Sequence, residues 1–183
     1  MSVDYTQMVE GCRHRDRRAQ RALYDAFASM AMGVCMRFVH DREEARDLMQ
    51  DGFIRVFERI GQVKDPQQVG GWIYKVMINV CIKHYRRQMR QVSLVLTDEM
   101  VESGEWKVGS GERCVGNEEV VEALHLLSPQ RRVVFNLIAV EEYDYNEAAK
   151  ELHCSEVNVR ALYSRAKKEL REILKTGYEF KRI

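Results

Sequence analysis

The sequence predicts an all-α protein of two small helical domains joined by a flexible linker. Three observations predict it. Apolar residues recur at steps of three and four along most of the 183-residue chain, and only two prolines interrupt it. A stretch over 91–117, with four glycines (Gly104, Gly109, Gly111, Gly116) and no sustained periodicity, divides the chain in two.

The elements follow in order. Leu23, Ala26, Phe27, Met30, Val34 and Phe38 share one face of a helix over 19–40, and a short helix is expected before residue 18. Asp41 followed by Glu44 reads as a capping box, opening a second stripe of Ala45, Leu48, Met49, Phe53, Val56, Phe57 and Ile60. Residues 61–71 hold three glycines and a proline and are expected to be a loop. A third helix is expected from Trp72, with Ile73, Val76, Met77, Val80, Cys81 and His84 on its inner face, running into a basic cluster near Arg90. These elements make a first domain over 1–90, followed by a linker over 91–117.

The second domain, 118–183, begins with Val120, Val121, Leu124 and Leu127. Ser128-Pro129 reads as a helix cap with proline at the first helical position, ahead of Val133, Val134, Leu137 and Ile138. Asp144 with Glu147 is a second capping box, opening a short helix with Ala148, Ala149 and Leu152. His153-Cys154-Ser155 makes a turn, and Ser155 caps a long last helix through Val157, Val159, Leu162, Ala166, Leu170 and Leu174. Short helix, three-residue turn and longer basic helix form the helix-turn-helix pattern, whose second helix enters the major groove of DNA. The turn requires a left-handed residue, and His153 stands where glycine is preferred.

Composition narrows the function. Apolar stretches such as Met30 to Cys35 and Val133 to Val140 are too short to span a membrane, and the first residues lead into no apolar signal segment, so a cytoplasmic protein without membrane insertion is expected. Five scattered cysteines, with no Cys-x-x-Cys pair and no paired histidines, predict no metal site. Cys35 and Cys81 read as core residues, whereas Cys12, Cys114 and Cys154 fall near turns, where exposed thiols are expected. No phosphate-binding glycine loop, nucleophile elbow or His-carboxylate constellation is evident, so neither an enzyme nor a cofactor is expected. The net charge of +1 hides opposed blocks. Lys83, Arg86, Arg87 and Arg90 form one basic cluster, and Arg160, Arg165, Lys167, Lys168, Arg171 and Lys175 form another. Eight carboxylates lie between them over 98–122. Two basic surfaces flanking an acidic strap predict two contacts with a polyanion.

Four patches resemble one family. Asp47-Leu48-Met49-Gln50-Asp51-Gly52-Phe53-Ile54-Arg55-Val56-Phe57 resembles the D-L-x-Q-[ED]-x-F-[IL]-x-x-[FWY] pattern of sigma region 2.2. Trp72-Ile73-Tyr74-Lys75-Val76-Met77-Ile78-Asn79 with Tyr85-Arg86-Arg87 resembles regions 2.3 and 2.4. Leu127 to Phe135, and Asn146 to Leu152 through Val159-Arg160 to Arg165-Ala166, resemble region 4. The chain is thereby similar to bacterial RNA polymerase sigma factors of the sigma-70 superfamily, and the linker joining the two modules directly resembles the extracytoplasmic-function group. Departures are Met77 for alanine, Ala148 for isoleucine and Asn158 for threonine.

The resemblance implies roles. Asp47, Gln50, Asp51, Phe53 and Arg55 match positions that dock on core RNA polymerase, at the clamp helices of its β′ subunit, while region 4 meets the β flap. Such a charged run equally makes a plain solvated face. Val63, Lys64, Trp72, Tyr74, Asn79, Lys83, Arg86, Arg87 and Arg90 match the surface that captures a flipped base of the minus 10 element and holds the DNA backbone. Trp72 serves a core anchor at least as well. Ser155, Asn158, Arg160, Ser164, Arg165 and Lys168 fall where the minus 35 element is read, with Arg165 assigned to a base and the others to phosphate or mixed contacts. The resemblance also implies an anti-sigma factor as partner, promoter DNA as ligand, and a role in transcription initiation, including promoter melting. A stand-alone helix-turn-helix regulator has no need of the Asp47 to Phe57 pattern, and an adaptor has no need of the basic last helix.

Overall fold

The computed structural model describes residues 5–95 and 118–180. Eight helices occur among them: α1 (Thr6–Arg13), α2 (Arg17–Phe38), α3 (Arg42–Arg59), α4 (Val69–Val95), α5 (Glu118–Leu126), α6 (Pro129–Phe135), α7 (Tyr145–Leu152) and α8 (Glu156–Phe180). Neither a strand nor a helix long and apolar enough to cross a membrane occurs among the described residues. The linker expected over 91–117, with Cys114, lies outside them apart from the last turn of α4. The chain divides into two compact units, Met1–Met36 with Arg42–Cys81, and Arg37–Asp41 with Ile82–Ile183.

In the first unit the apolar stripes fall inward as periodicity requires. Leu23, Val34 and Cys35 of α2, Leu48, Phe53 and Val56 of α3, and Ile73 and Met77 of α4 are all buried. Each fully buried aliphatic side chain contributes roughly 1.5–3 kcal/mol. Tyr24 and Phe53 pack with ring centroids 4.6 Å apart, joining α2 to α3. Cys35 and Cys81, with sulfurs 4.0 Å apart, join α2 to α4 as ordinary small core residues. The short α1 exists as expected. Its Cys12 is buried, contrary to the exposed thiol expected there, because α1 turns this face inward; burial, helped by the nearby Asp16 charge, pushes the thiol up to about 11.

The loop between α3 and α4 is shorter than the sequence pattern predicts. Ile60–Gln62 and Pro66–Gln68 each form a 3-10 turn, and α4 begins at Val69, so Val69, Gly70 and Gly71 are helical. Gly70 serves an approach: a Cβ there would lie 2.9 Å from the Phe27 ring. Packing, not turn chemistry, therefore explains that glycine. Met77 has the same kind of explanation. A Cβ on Gly52 would sit 2.2 Å from the Met77 sulfur, so the buried thioether of α4 occupies the space that a side chain at 52 would take.

The second unit contains the helix-turn-helix. Ala123, Leu124, Leu127, Ala166 and Leu170 form a core against which Phe135, Ile173 and Leu174 pack. Between α5 and α6, Ser128 occupies the N-cap and Pro129 the first turn, but the Ser128 side chain makes no capping hydrogen bond. Arg132 serves the other side of the corner, the carbonyl end of α5. Its guanidinium, with the residue 4% exposed, donates to the carbonyl oxygens of Leu124, His125 and Leu127, each at 3.1 Å. They lie at the C-terminal end of α5, where Leu124 also accepts from Leu127 N–H at 3.2 Å. After α6 the chain passes through a π-helical turn, Asn136–Val140, closed by Glu141 N–H donating to the Asn136 carbonyl at 3.0 Å.

Two stability tests follow. Gly52→Ala should destabilise the protein by about 1–3 kcal/mol through overpacking, even though alanine is intrinsically the better helix former. Combined with Met77→Ala, it should cost clearly less than the two changes summed, and urea unfolding of all three variants will show strict additivity if Gly52 and Met77 are independent. Arg132→Met keeps most of the volume but removes a charged donor that three carbonyls at this corner share, so a loss of about 1–3 kcal/mol is expected. An unchanged melting temperature would rule out that capping role.

Candidate polymerase and nucleic-acid interfaces

On α3, Asp47, Gln50 and Asp51 are exposed and share a face with Ile54 and Glu58, at the steps of three and four residues that a helix requires. Ile54 is 56% exposed, a large apolar residue amid carboxylates and an amide. Reading outward-facing residues by charge passed over it, although its place in the region 2.2 pattern calls for isoleucine or leucine. Phe53 is corrected: at 3% exposure it packs against Tyr24, so it fixes the helix and offers a partner no surface. Arg55 is half-buried beside that face.

Along α4 the exposed residues Asn79, Lys83, Arg87 and Arg90 follow the helical repeat, with Arg86 half-buried among them. Trp72 and Tyr74, near the start of α4, are half-buried, combining packing with some accessible ring. Before them Lys64 is exposed, but Val63 is 4% exposed and points inward, so the expectation that it touches DNA is corrected. Val63 matters through its backbone. Arg13 of α1 donates to the Val63 carbonyl, and the Asp65 carboxylate accepts from Gln67 N–H at 3.0 Å, so the loop is held from both ends. Arg13 was invisible to motif reading because it lies fifty residues upstream. The phenol of Tyr85 is pushed up to about 12 by burial and stays protonated.

The helix-turn-helix is built from local chemistry. Asp144 accepts from Glu147 N–H at 2.7 Å while the Glu147 carboxylate accepts from Asp144 N–H at 3.0 Å, completing the expected capping box on α7. His153 takes the left-handed conformation, φ 54° and ψ 44°, and Cys154 N–H donates to the Ala149 carbonyl at 3.1 Å, ending α7. Ser155 Oγ then accepts from Asn158 N–H at 3.2 Å and caps α8. Ala148 and Ala149 are buried where the two helices meet. Val159, Ala166 and Leu170 point inward from α8, leaving Asn158, Arg160, Ser164, Arg165 and Lys168 exposed. Ser155, assigned to DNA by the resemblance, is exposed too, with its hydroxyl committed to the cap.

No group of three or more His, Cys, Asp or Glu side chains able to hold a metal occurs among the described residues. The arrangement defines a helical DNA-binding protein with a helix-turn-helix and a second helical module. Comparison with known proteins gives the class a family. Residues 23–91 match the family described as Sigma-70 region 2, and residues 117–170 match Sigma-70, region 4. The chain is 27% identical over 178 residues to the RNA polymerase sigma-H factor of Pseudomonas aeruginosa, covering 92% of each chain. It is 24% identical to the ECF RNA polymerase sigma factor SigM of Bacillus subtilis, covering 85% of this chain and 94% of the other. Among solved structures it is similar to the sigma factor RpoE in complex with the anti-sigma factor NepR from Bartonella quintana, with TM-score 0.49, 21% identity and coverage of 85% and 96% of the two chains. It is also similar to CnrH in complex with the cytosolic domain of CnrY, with TM-score 0.48, 19% identity and coverage of 95% and 99%. The chain belongs to the sigma-70 family of RNA polymerase sigma factors. Sigma factors are non-enzymatic initiation factors that act with RNA polymerase in promoter-specific transcription.

A left-handed histidine is strained by a Cβ that glycine lacks. His153→Gly should therefore raise thermal stability, by about 1 kcal/mol or less after the added freedom of the unfolded chain is counted. A drop in melting temperature would show instead that the imidazole makes a contact the turn needs.

Proposed function

We propose that this protein docks on core RNA polymerase through α3, reads the minus 35 element with α8, and captures and melts the minus 10 element with the α3–α4 loop and α4. The domain plan is region 2 over 1–90, a linker over 91–117 and region 4 over 118–183. The observation that carries the reading is the outward face of α8, where Asn158, Ser164, Arg165 and Lys168 are exposed on a helix opened by a capped turn.

Arg165 is the base reader, since arginine makes a bidentate contact with guanine worth about 1–3 kcal/mol of discrimination. Asn158, Ser164, Lys168, Arg160 and Ser155 hold backbone or make mixed contacts. On α4, Lys83, Arg86, Arg87 and Arg90 hold phosphates while Trp72, Tyr74, Asn79 and Lys64 surround an unstacked base. A flipped base costs a few kcal/mol, within reach of binding energy, so melting requires no nucleotide hydrolysis. Asp47, Gln50, Asp51 and Arg55 give register on the β′ clamp helices, with exposed Ile54 supplying apolar contact between them. Region 4 meets the β flap. An anti-sigma factor is a further partner, as is common in the extracytoplasmic-function group.

The test is transcription by bacterial core polymerase supplied with the purified chain and a library of promoter fragments. Transcripts that depend on the chain and share two upstream motifs are expected; no core binding and no transcript would favour a stand-alone DNA-binding regulator. In the same assay Arg165→Ala should weaken minus 35 recognition about tenfold or more while leaving core binding intact. Asp51→Lys should do the reverse. Equal effects of both variants on both readouts would defeat this division of labour.

A further inference from the structure

One flank of α8 carries a feature that the minus 35 reading leaves unused. With Val159, Ala166 and Leu170 facing inward, the helical repeat brings Arg165 and Asn158 up on one side of the exposed face and Arg160 and Lys167 on the other. The second pair lies on aromatic rings. The Arg160 guanidinium sits 4.3 Å from the centroid of the Tyr145 ring at the start of α7, and the Lys167 ammonium sits 4.5 Å from that of Tyr163. Tyr145 and Tyr163 meet edge to face at 6.1 Å, and Tyr163 lies 6.0 Å from Phe135, which packs on the core. A chain of rings thus runs from the core to two cations, Arg160 exposed and Lys167 half-buried.

We infer that Tyr145 and Tyr163 are positioning residues that hold Arg160 and Lys167 against phosphates of one DNA strand beside the groove that α8 enters. The inference rests on the minus 35 reading and adds a residue, Lys167, and two tyrosines to it. Arginine and lysine side chains lose considerable rotamer freedom when they bind, and a cation already seated on a ring loses less. Glu156 completes the seat: its Oε1 accepts from Arg160 Nε at 2.8 Å and Nη2 at 2.6 Å. This fixes the plane of the guanidinium, which has five N–H donors in all, and leaves others for a phosphate oxygen. Phosphate contacts position a protein without reading sequence, so this flank supplies affinity and Arg165 supplies choice.

The probe is the full chain bound to core polymerase, on the duplex that wild-type holoenzyme enriches from a randomised pool, with affinity measured across a potassium chloride series. Tyr145→Leu and Tyr163→Leu are each expected to weaken binding about two- to fivefold, alike on the selected duplex and on its single-base variants, and to flatten the salt slope by up to about one contact. Tyr145→Phe, which keeps the ring, should restore the wild-type slope. If Tyr163→Leu lowers the melting temperature, Arg160→Gln and Lys167→Gln test the same phosphates without disturbing the rings. The proposal is overturned if Tyr145→Leu keeps the wild-type slope, if Tyr145→Phe behaves like Tyr145→Leu, or if the losses depend on base sequence. Should wild-type holoenzyme enrich no duplex, or Arg165→Ala leave binding untouched, the minus 35 reading itself fails and takes the ring-held cations with it.

Discussion

At the corner between α5 and α6, a buried guanidinium faces three backbone carbonyls, and much of the helix-turn-helix unit rests on that contact. Leu124 and Leu127, whose carbonyls Arg132 caps, are also core residues that meet Ala166 and Leu170 of α8. The carbonyls at a helix end must find donors, and water cannot supply them at a buried corner. A charged donor is costly to bury, but three acceptors at 3.1 Å share the charge. The same residue continues the linkage, since its own carbonyl accepts from Asn136 Nδ2 at 3.1 Å at the entry to the π turn. Fixing α5 on α6 thus fixes the floor on which α8 lies, and with it the direction of Arg165.

A comparable constraint shapes the first unit through size instead of charge. Met77 departs from the alanine usual in the family, and by itself would overfill the crossing of α3 and α4. Gly52, in the unrestricted position of the region 2.2 pattern, makes room for it. The two residues act as one packing choice. Interiors are packed at crystal-like density, so a change at one of two touching positions is felt at the other. That crossing sets how the α3 face bearing Asp47, Gln50 and Asp51 is presented.

Most of the fold was legible because its signals are local. Apolar stripes at helical spacing placed α2, α3 and α8, the Asp144 and Glu147 pair placed the start of α7, and Ser155 placed the start of α8. What was misread depends on neighbours distant in sequence. Val69, Gly70 and Gly71 look like loop until the Phe27 ring is seen to require a missing side chain at Gly70. Phe53 and Val63 sit in patterns that carry function, yet burial assigns them to packing. Ser128 has the right identity and backbone for a cap on α6 but its side chain accepts no hydrogen bond, and the corner's side-chain bonds come from Arg132 on the carbonyl end of α5. Tyr145 and Tyr163 carry no motif; only the crossing of α7 on α8 brings the Tyr145 ring under Arg160.

Charge shows most clearly why a sum over the chain misleads. A net charge of +1 predicts little attraction to DNA, yet the folded helices sort their charges by face. On α3, carboxylates at 47 and 51 face outward; on α4 and α8 the outward charges are predominantly lysine and arginine. Glu156 is an acid on the basic helix, and its effect is set by geometry more than by sign. Held against Arg160, it offsets one positive charge at long range while fixing the guanidinium at short range. At physiological salt, screening removes most of that offset beyond about 8 Å, and the fixed orientation persists. An acid in that position therefore costs α8 little of its attraction to negative charge beyond that range and gives its arginine a defined direction.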